Sequence, residues 1–187
     1  MRKPDDQLVR TYLNGDEDAF NALYARYKHD VLRFLVSLGG THEQAEDAFQ
    51  NTWIKVVRHL ASYRGRNRFR GWLFTTAYRT WLSEVRSSWE RRKVCVGTQE
   101  TDFEGLPIDP ALARVASHEK AIIARERREM LYTALDALPD VLRQTVLLRT
   151  DGGLSFKEVA RVMECPLGTA LWRMNEAVKR LKTLLGE

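Results

Sequence analysis

The stretch LSFKEVARVMECPLGTALWR, residues 154–173, decides the fold of the C-terminal half. Ser155 and Glu158 have the spacing of a capping box, in which two side chains satisfy free N–H groups at a helix start. Cys165-Pro166 then interrupts the helical pattern, because proline has no N–H to donate and restricts the residue before it. A second, longer amphipathic segment follows immediately. This order predicts a helix-turn-helix, whose second helix enters the major groove of DNA.

The second helix of this motif has an inward and an outward face. Spacings of three and four place these residues inward: Ala170, Met174, Ala177, Leu181 and Leu184. An outward arginine can pair with guanine and nearby lysines can hold phosphates. The predicted DNA contacts of this half are Ser155, Lys157, Thr169, Trp172, Arg173 and Lys179. Taken alone, the same pattern also fits an ordinary helical hairpin.

The N-terminal half has the pattern of four helices joined by short breaks. Asn14-Gly15 and Gly39-Gly40 are typical helix ends, and Thr41 with Gln44 forms a second capping box. A fourth helix is predicted from about Phe69 to Lys93. Its expected core positions are Leu73, Ala77, Leu82 and Val85. No strand pattern competes, so the predicted fold class is all-α.

The net charge of +5 is modest, but the basic residues are concentrated in one segment. Between Arg58 and Lys93 there are ten Lys or Arg and only two acids, Glu84 and Glu90. Aromatic residues are interleaved with these cations: Tyr63, Phe69, Trp72, Phe74, Tyr78, Trp81 and Trp89. Cations beside stacking rings suit unpaired bases, which favours nucleic-acid binding over a merely solvated helix face.

The composition changes after this basic segment. From Val94 to Ala113 there is no Lys or Arg, while acids, glycines and prolines accumulate. A structureless loop of that length is uncommon inside one compact domain, so the stretch is interpreted as a linker. The predicted organisation is therefore two small helical domains, residues 1–93 and 118–187, joined by an acidic linker over residues 94–117.

Both halves contain fragments that match one family. In the C-terminal half they are Leu138-Pro139, residues 154–160, residues 165–169 and Arg173. In the N-terminal half they are Asp18-Ala19-Phe20, Leu23-Tyr24, Tyr27, residues 44–47, Gln50, Trp53, Lys55 and residues 69–73. Together, and in this order, they resemble the extracytoplasmic-function sigma factors of bacterial RNA polymerase. The resemblance implies a factor that directs core polymerase to specific promoters and initiates transcription.

The resemblance also implies a role for each surface. The third helix would dock on the largest polymerase subunit through Glu46, Asp47, Gln50, Asn51 and Trp53. The loop from Ser62 to Arg68 would capture a base flipped from the minus-ten element, and the next helix would hold the adjoining strand. The minus-ten contacts are then Tyr63, Arg64, Asn67, Arg68, Arg79 and Arg86. The acidic linker would run through the basic channels of the polymerase, and the C-terminal motif would bind the minus-35 element.

The recognition helix departs from the family pattern. Leu171, Trp172, Glu176 and Val178 stand where the family usually has cationic or small polar residues. Exposure of a Leu-Trp pair to water is unfavourable, so another surface is expected to cover it. The pair could pack into its own domain, touch thymine methyl groups, or dock an activator or anti-sigma factor. We narrowly favour a protein partner over thymine, because Glu176 repels phosphate and Arg173 alone attracts it.

Other functions fit the sequence less well. A simple helix-turn-helix repressor needs no second basic domain, and a sigma-like regulator acting mainly through protein partners is the principal alternative. The four histidines are isolated and no catalytic, metal or phosphate-loop motif is visible, so we expect no enzyme activity, small-molecule substrate, cofactor or metal. Cys95 and Cys165 lie far apart and no secretory signal opens the chain, which favours reduced thiols in the cytoplasm.

Overall fold

A computed structural model describes residues 3–65, 67–94 and 130–186, and these ranges contain helices and no strands. The helices are α1 (Asp5–Leu13), α2 (Glu17–Ser37), α3 (His42–His59), α4 (Phe69–Val94), α5 (130–136), α6 (Asp140–Thr150), α7 (Phe156–Val162) and α8 (Leu167–Leu185), with a 3-10 turn at Leu60–Ser62. The all-α prediction is confirmed. The predicted linker from residue 95 onward, and the predicted helical residues 118–129, lie outside the described residues.

The helix boundaries follow the local signals in the sequence. At the start of α3, the Gln44 N–H donates to Thr41 Oγ1 at 3.2 Å and the Thr41 N–H donates to Gln44 Oε1 at 2.9 Å. The Ser155–Glu158 capping box forms in the same way at α7. α2 ends just before Gly39-Gly40, and α8 begins directly after Pro166. Both predicted capping boxes and the helix-turn-helix are therefore confirmed.

The core of the N-terminal half lies among α2, α3 and α4. Leu23, Val31 and Phe34 of α2 are fully buried, and the Phe34 ring meets Phe74 of α4 edge to face at a centroid distance of 5.0 Å. Burying one such side chain contributes about 1.5–3 kcal/mol to stability. These contacts position α4 and the end of the loop before it, the loop for which the family resemblance implies contact with the minus-ten element.

The packing of helix α4 contradicts the prediction that all of its aromatic residues could stack on unpaired bases. Phe69, Phe74, Tyr78 and Trp81 are buried, so these rings belong to the core and are not available to stack on bases. Leu73 and Ala77 are buried as predicted, whereas the predicted core residue Leu82 is exposed. The physical reason is that α4 is covered on two sides, by α3 and by the C-terminal half. A helix between two neighbours buries more than the single stripe that spacing predicts.

The two halves contact each other directly. The Tyr78 hydroxyl of α4 donates to Gln144 Oε1 of α6 at 3.0 Å. Arg143 of α6 is buried, and its Nη2 donates to the Leu38 carbonyl at 3.3 Å and to Asp140 Oδ1 at 2.6 Å. Burial raises the pKa of Tyr78 to about 12, so the phenol remains a neutral donor. The buried side chains of both halves form one continuous cluster.

Gly39 of the N-terminal half lies against the side chain of Arg143. Its φ is +95°, and a Cβ placed there would lie 2.4 Å from Arg143 Nη2. Gly15 has a similar φ of +101° and open space around it. Gly15→Ala should therefore cost only the left-handed backbone strain of about 1–2 kcal/mol.

We expect Gly39→Ala to lower the free energy of unfolding by at least about 1 kcal/mol more than Gly15→Ala. The added methyl group must displace a buried guanidinium from its partners, and uncompensated buried charges are costly. Urea denaturation of both variants measures the difference. Equal losses would show that Arg143 moves aside without cost.

Candidate nucleic-acid and polymerase surfaces

The loop at residues 63–68 is held in shape by Asp6 of α1. The Tyr63 hydroxyl donates to Asp6 Oδ1 at 2.7 Å, and the Asn67 backbone N–H donates to Asp6 Oδ2 at 2.8 Å. The Arg68 backbone N–H in turn donates to the Tyr63 hydroxyl at 3.1 Å. Asn67 adopts a left-handed conformation with φ +53°, whose free-energy cost must be offset by contacts such as the hydrogen bond to Asp6. One carboxylate thus fixes both ends of the loop.

Tyr63 has a structural role in this arrangement. Its ring packs against Phe69 and Trp72, with centroid distances of 5.7 and 5.5 Å. Burial and the hydrogen bond to Asp6 raise the pKa of Tyr63 well above its ordinary value, so the phenol stays a donor to the carboxylate. The hydroxyl and part of the ring are therefore occupied. Tyr63 lies within the predicted minus-ten site, where it supports the loop.

Four members of the predicted minus-ten site, three arginines and Asn67, are exposed. Asn67 and Arg64 extend from the loop, and Arg79 and Arg86 are exposed on α4. Arg79 and Arg86 are seven residues apart, which is close to two helical turns, so they lie on the same side of α4. Exposed cations on one side of a helix are suited to holding the backbone of a single strand.

Arg68 and Arg70 contact the C-terminal half. Arg68 Nη1 lies 2.9 Å from Glu158 Oε1, and Arg70 Nε donates to the Asp151 carbonyl at 2.7 Å. The hydrogen bond from Ser155, together with Arg68, holds the pKa of Glu158 below its usual range. In this arrangement Arg68 is engaged with α7, although its side chain remains largely exposed.

A cleft of about 830 Å³ lies between the loop and α4 on one side and the start of α7 on the other. Its lining contains six arginines, Arg64, Arg68, Arg70, Arg79, Arg149 and Arg161, and a single acid, Glu158. The cleft therefore brings the basic residues of both halves together, which their positions in the sequence do not indicate. Its positive potential favours a polyanion.

The residues of the predicted polymerase surface on α3 differ in exposure. Glu46, Asp47 and Gln50 are exposed. Trp53 is only 7% exposed, and its ring contacts Tyr24 at a centroid distance of 4.9 Å, so its assignment to a binding surface is wrong. Asn51 is half-buried and donates to Glu84 Oε1 of α4 at 2.9 Å. The spacing of Trp53 marks the inward face of α3, which the packing of α2 covers.

The helix-turn-helix has the expected geometry. Ala160 is buried where α7 and α8 cross, and the Cys165 N–H donates to its carbonyl at 2.9 Å. Glu164 takes the left-handed conformation at the turn, with φ +50°. Of the predicted minus-35 contacts, Ser155, Lys157, Trp172 and Lys179 are exposed, whereas Thr169 and Arg173 are half-buried. The Ser155 hydroxyl is already used by the capping box.

One core position predicted for α8 is wrong, and one of the options left open for Leu171 and Trp172 is excluded. Leu184 was expected in the core and is exposed, because α8 has 19 residues and extends past α6, which has 11. Leu171 and Trp172 are 40% and 61% exposed, which contradicts the possibility that they pack into their own domain. Within the part of the chain that the structure describes, both side chains face solvent.

Asp6 is the site residue that sequence reasoning missed. It precedes its hydrogen-bond partners by 57 and 61 residues. An acidic residue in the first turn of a short helix has an ordinary local explanation in the helix dipole. Nothing in the local sequence therefore indicates that Asp6 shapes a distant loop.

Comparison with known proteins agrees with this architecture. The family model for sigma-70 region 2 matches residues 23–91, and the model for sigma-70 region 4 matches residues 128–181. RNA polymerase sigma-H factor of Pseudomonas aeruginosa is 33% identical, with 100% of this chain and 98% of the relative covered. The chain belongs to the sigma-70 family. ECF RNA polymerase sigma-E factor of Escherichia coli is 32% identical over 93% of this chain and 92% of the relative. This sigma factor is thus of the extracytoplasmic-function type.

Solved structures share the fold of this sigma factor. The sigma factor RpoE in complex with the anti-sigma factor NepR from Bartonella quintana has a TM-score of 0.65 and 24% identity, with 89% of this chain and 96% of that chain covered. CnrH in complex with the cytosolic domain of CnrY has a TM-score of 0.62 and 20% identity, with 98% of both chains covered. Within its described residues, this sigma factor has no helix that is long and apolar enough to cross a membrane.

Proposed function

We propose that this sigma factor divides its work between two domains, residues 1–93 and 118–187, with the acidic stretch 94–117 between them. The first binds core RNA polymerase and captures the opened minus-ten strand, and the second binds the minus-35 element. The observation that carries the proposal is the exposed group of Arg64 and Asn67 in the loop and Arg79 and Arg86 on α4, with Tyr63 and Asn67 of the loop hydrogen-bonded to Asp6. Such hydrogen bonds suit base capture because they reduce the ordering that binding requires.

In this proposal the contacts are shared as follows. Polymerase binding uses Glu46, Asp47 and Gln50. Minus-ten binding uses Arg64, Asn67, Arg79 and Arg86, with Tyr63 supporting the loop and Arg68 released from Glu158. Minus-35 binding uses Lys157, Thr169, Trp172, Arg173 and Lys179. The protein acts in the cytoplasm as a binding factor without enzyme activity, cofactor or metal.

Two measurements test the proposed function together. Gel filtration with core polymerase should show co-elution of the chain, and run-off transcription should give transcripts that start only when the chain is present. A chain that co-elutes with core polymerase but yields no run-off transcript would favour the second candidate, a sigma-like regulator acting through protein partners. The exposed Leu171 and Trp172 are the observation that supports this candidate.

An anti-sigma factor is the regulatory partner that we propose. Two solved structures with the same fold contain the anti-sigma factor NepR and the cytosolic domain of CnrY. The basic cleft between the halves of this chain is a suitable place for an acidic segment of such a partner. Co-purification of the chain from cells under non-inducing conditions, followed by identification of the bound protein, tests this.

We expect Asp47→Arg to weaken core binding by at least about tenfold, or about 1.4 kcal/mol. The exposed carboxylate lies at the centre of the acidic surface on α3, and a reversed charge there would repel a basic partner. Glu17→Arg makes the same charge change on α2, outside this surface, and should leave binding close to that of the unmodified chain. Equal affinities of the two folded variants in a pull-down would contradict the assignment.

A further inference from the structure

The first two turns of α8 present an unusual surface for a helix that enters a DNA groove. Leu167, Leu171 and Trp172 are 40%, 40% and 61% exposed. Between Leu167 and Asn175 the only charged residue is Arg173, and there is no acid. The inward positions are filled by Ala170 and Ala177, both fully buried. The end of the helix that meets base edges is therefore mainly apolar.

The charges around this apolar surface favour DNA as its partner. Lys157 and Arg161 of α7, and Lys179 and Lys182 of α8, are all exposed. Glu176 is the acid expected to repel phosphate, but its carboxylate is paired with Arg180 Nε at 2.7 Å. The local field is thus positive despite Glu176, and a polyanion can approach. This pairing removes the reason for preferring a protein partner over DNA.

We propose that Leu171 and Trp172 read thymine by contact with its C5-methyl group in the major groove of the minus-35 element. This inference rests on the proposed function of α8. Among the four bases, thymine alone presents a methyl group in the major groove, so apolar contact there distinguishes it without a hydrogen bond. The flanking cations hold phosphates and fix the register, and they carry no sequence information. The preferred element is then one with thymines facing the first two turns of α8.

The test replaces thymine by deoxyuridine in the minus-35 element of a promoter mapped from transcripts that depend on the chain. Deoxyuridine pairs identically and lacks only the methyl group. We expect holoenzyme binding, measured by fluorescence anisotropy, to weaken by roughly threefold to fivefold for each methyl group that is contacted. Leu171→Ala and Trp172→Ala, made separately, should each reduce this preference for thymine. Both side chains are exposed, so both variants should fold.

Val178→Ala is the matched control, because Val178 is also an exposed apolar residue of α8 but lies beyond the first two turns. It should keep the full preference for thymine. A holoenzyme that transcribes normally and binds the thymine and deoxyuridine duplexes equally overturns the inference and leaves the proposed function intact. The same holds if both alanine variants keep the wild-type preference, which would leave a protein as the partner of this surface. A chain that forms no holoenzyme contradicts the proposed function and this inference together.

Discussion

Replacing Arg64, Asn67 and Arg79 together by alanine should reduce open-complex formation on the order of a hundredfold and leave core binding unchanged. The three side chains are exposed on the loop and on the adjoining face of α4, on one side of the basic cleft. Stacking and cation contacts to a single strand are each worth about 1–3 kcal/mol. Even the lower values sum to about 3 kcal/mol, which corresponds to roughly a hundredfold.

Permanganate footprints of the melted bases measure the expected loss. The matched control is the triple alanine variant at Asn21, Lys28 and Arg58, which removes one amide and two cations elsewhere on the same half. It should melt the promoter normally. Unchanged footprints in the Arg64, Asn67 and Arg79 variant would refute the assignment. Arg68 is left out of the variant because its ion pair with Glu158 would mix DNA binding with the contact between the two halves.

The second large effect is expected for Asp6→Ala, which alters none of the side chains proposed to contact DNA. The substitution removes the acceptor of both the Tyr63 hydroxyl and the Asn67 N–H. Hydrogen bonds to a charged group contribute about 1.5–3 kcal/mol each, and without them the left-handed Asn67 is no longer held. We expect open-complex formation to fall by roughly tenfold to a hundredfold, with core binding preserved.

Three further measurements separate positioning of the loop from general destabilisation. Amide hydrogen exchange at Asn67 should accelerate in the Asp6→Ala variant, because its N–H has lost its acceptor. Asp6→Asn keeps one carbonyl oxygen and should recover part of the activity. Asp18→Ala removes another acid from the first turn of a helix and should leave melting of the promoter unchanged. Full activity of Asp6→Ala would show that the loop keeps its shape without the carboxylate.

The helices themselves could be predicted because their signals are local. Capping boxes at Thr41 and Ser155, and the break at Pro166, act within a few residues, and the structure follows all three. The helix-turn-helix was predictable for the same reason. Which face of each helix is buried was less predictable from the sequence. Spacing identifies one inward stripe, which is sufficient for α3 and insufficient for α4, where neighbours on both sides bury Phe69, Phe74 and Tyr78.

The predicted site likewise contains residues that the local sequence identifies and residues whose role depends on packing. Exposed cations such as Arg64 and Arg79 could be selected from their density in the sequence, because long charged side chains remain at the surface. Trp53 was misassigned because its resemblance to a family motif says nothing about which way the ring points. Glu176 was misjudged because a sequence records its charge but not that Arg180, one turn later, neutralises it.

The sequence by itself determined the all-helical class, the helix boundaries, the helix-turn-helix and the basic character of the first half. Each depends on interactions among residues that are close in the chain. Only the tertiary structure decided that Asp6 shapes the loop at residues 63–68, that Arg143 lies beneath Gly39, and that the arginines of both halves line one cleft. These features join residues 57 to 105 positions apart, so they depend on how the helices pack.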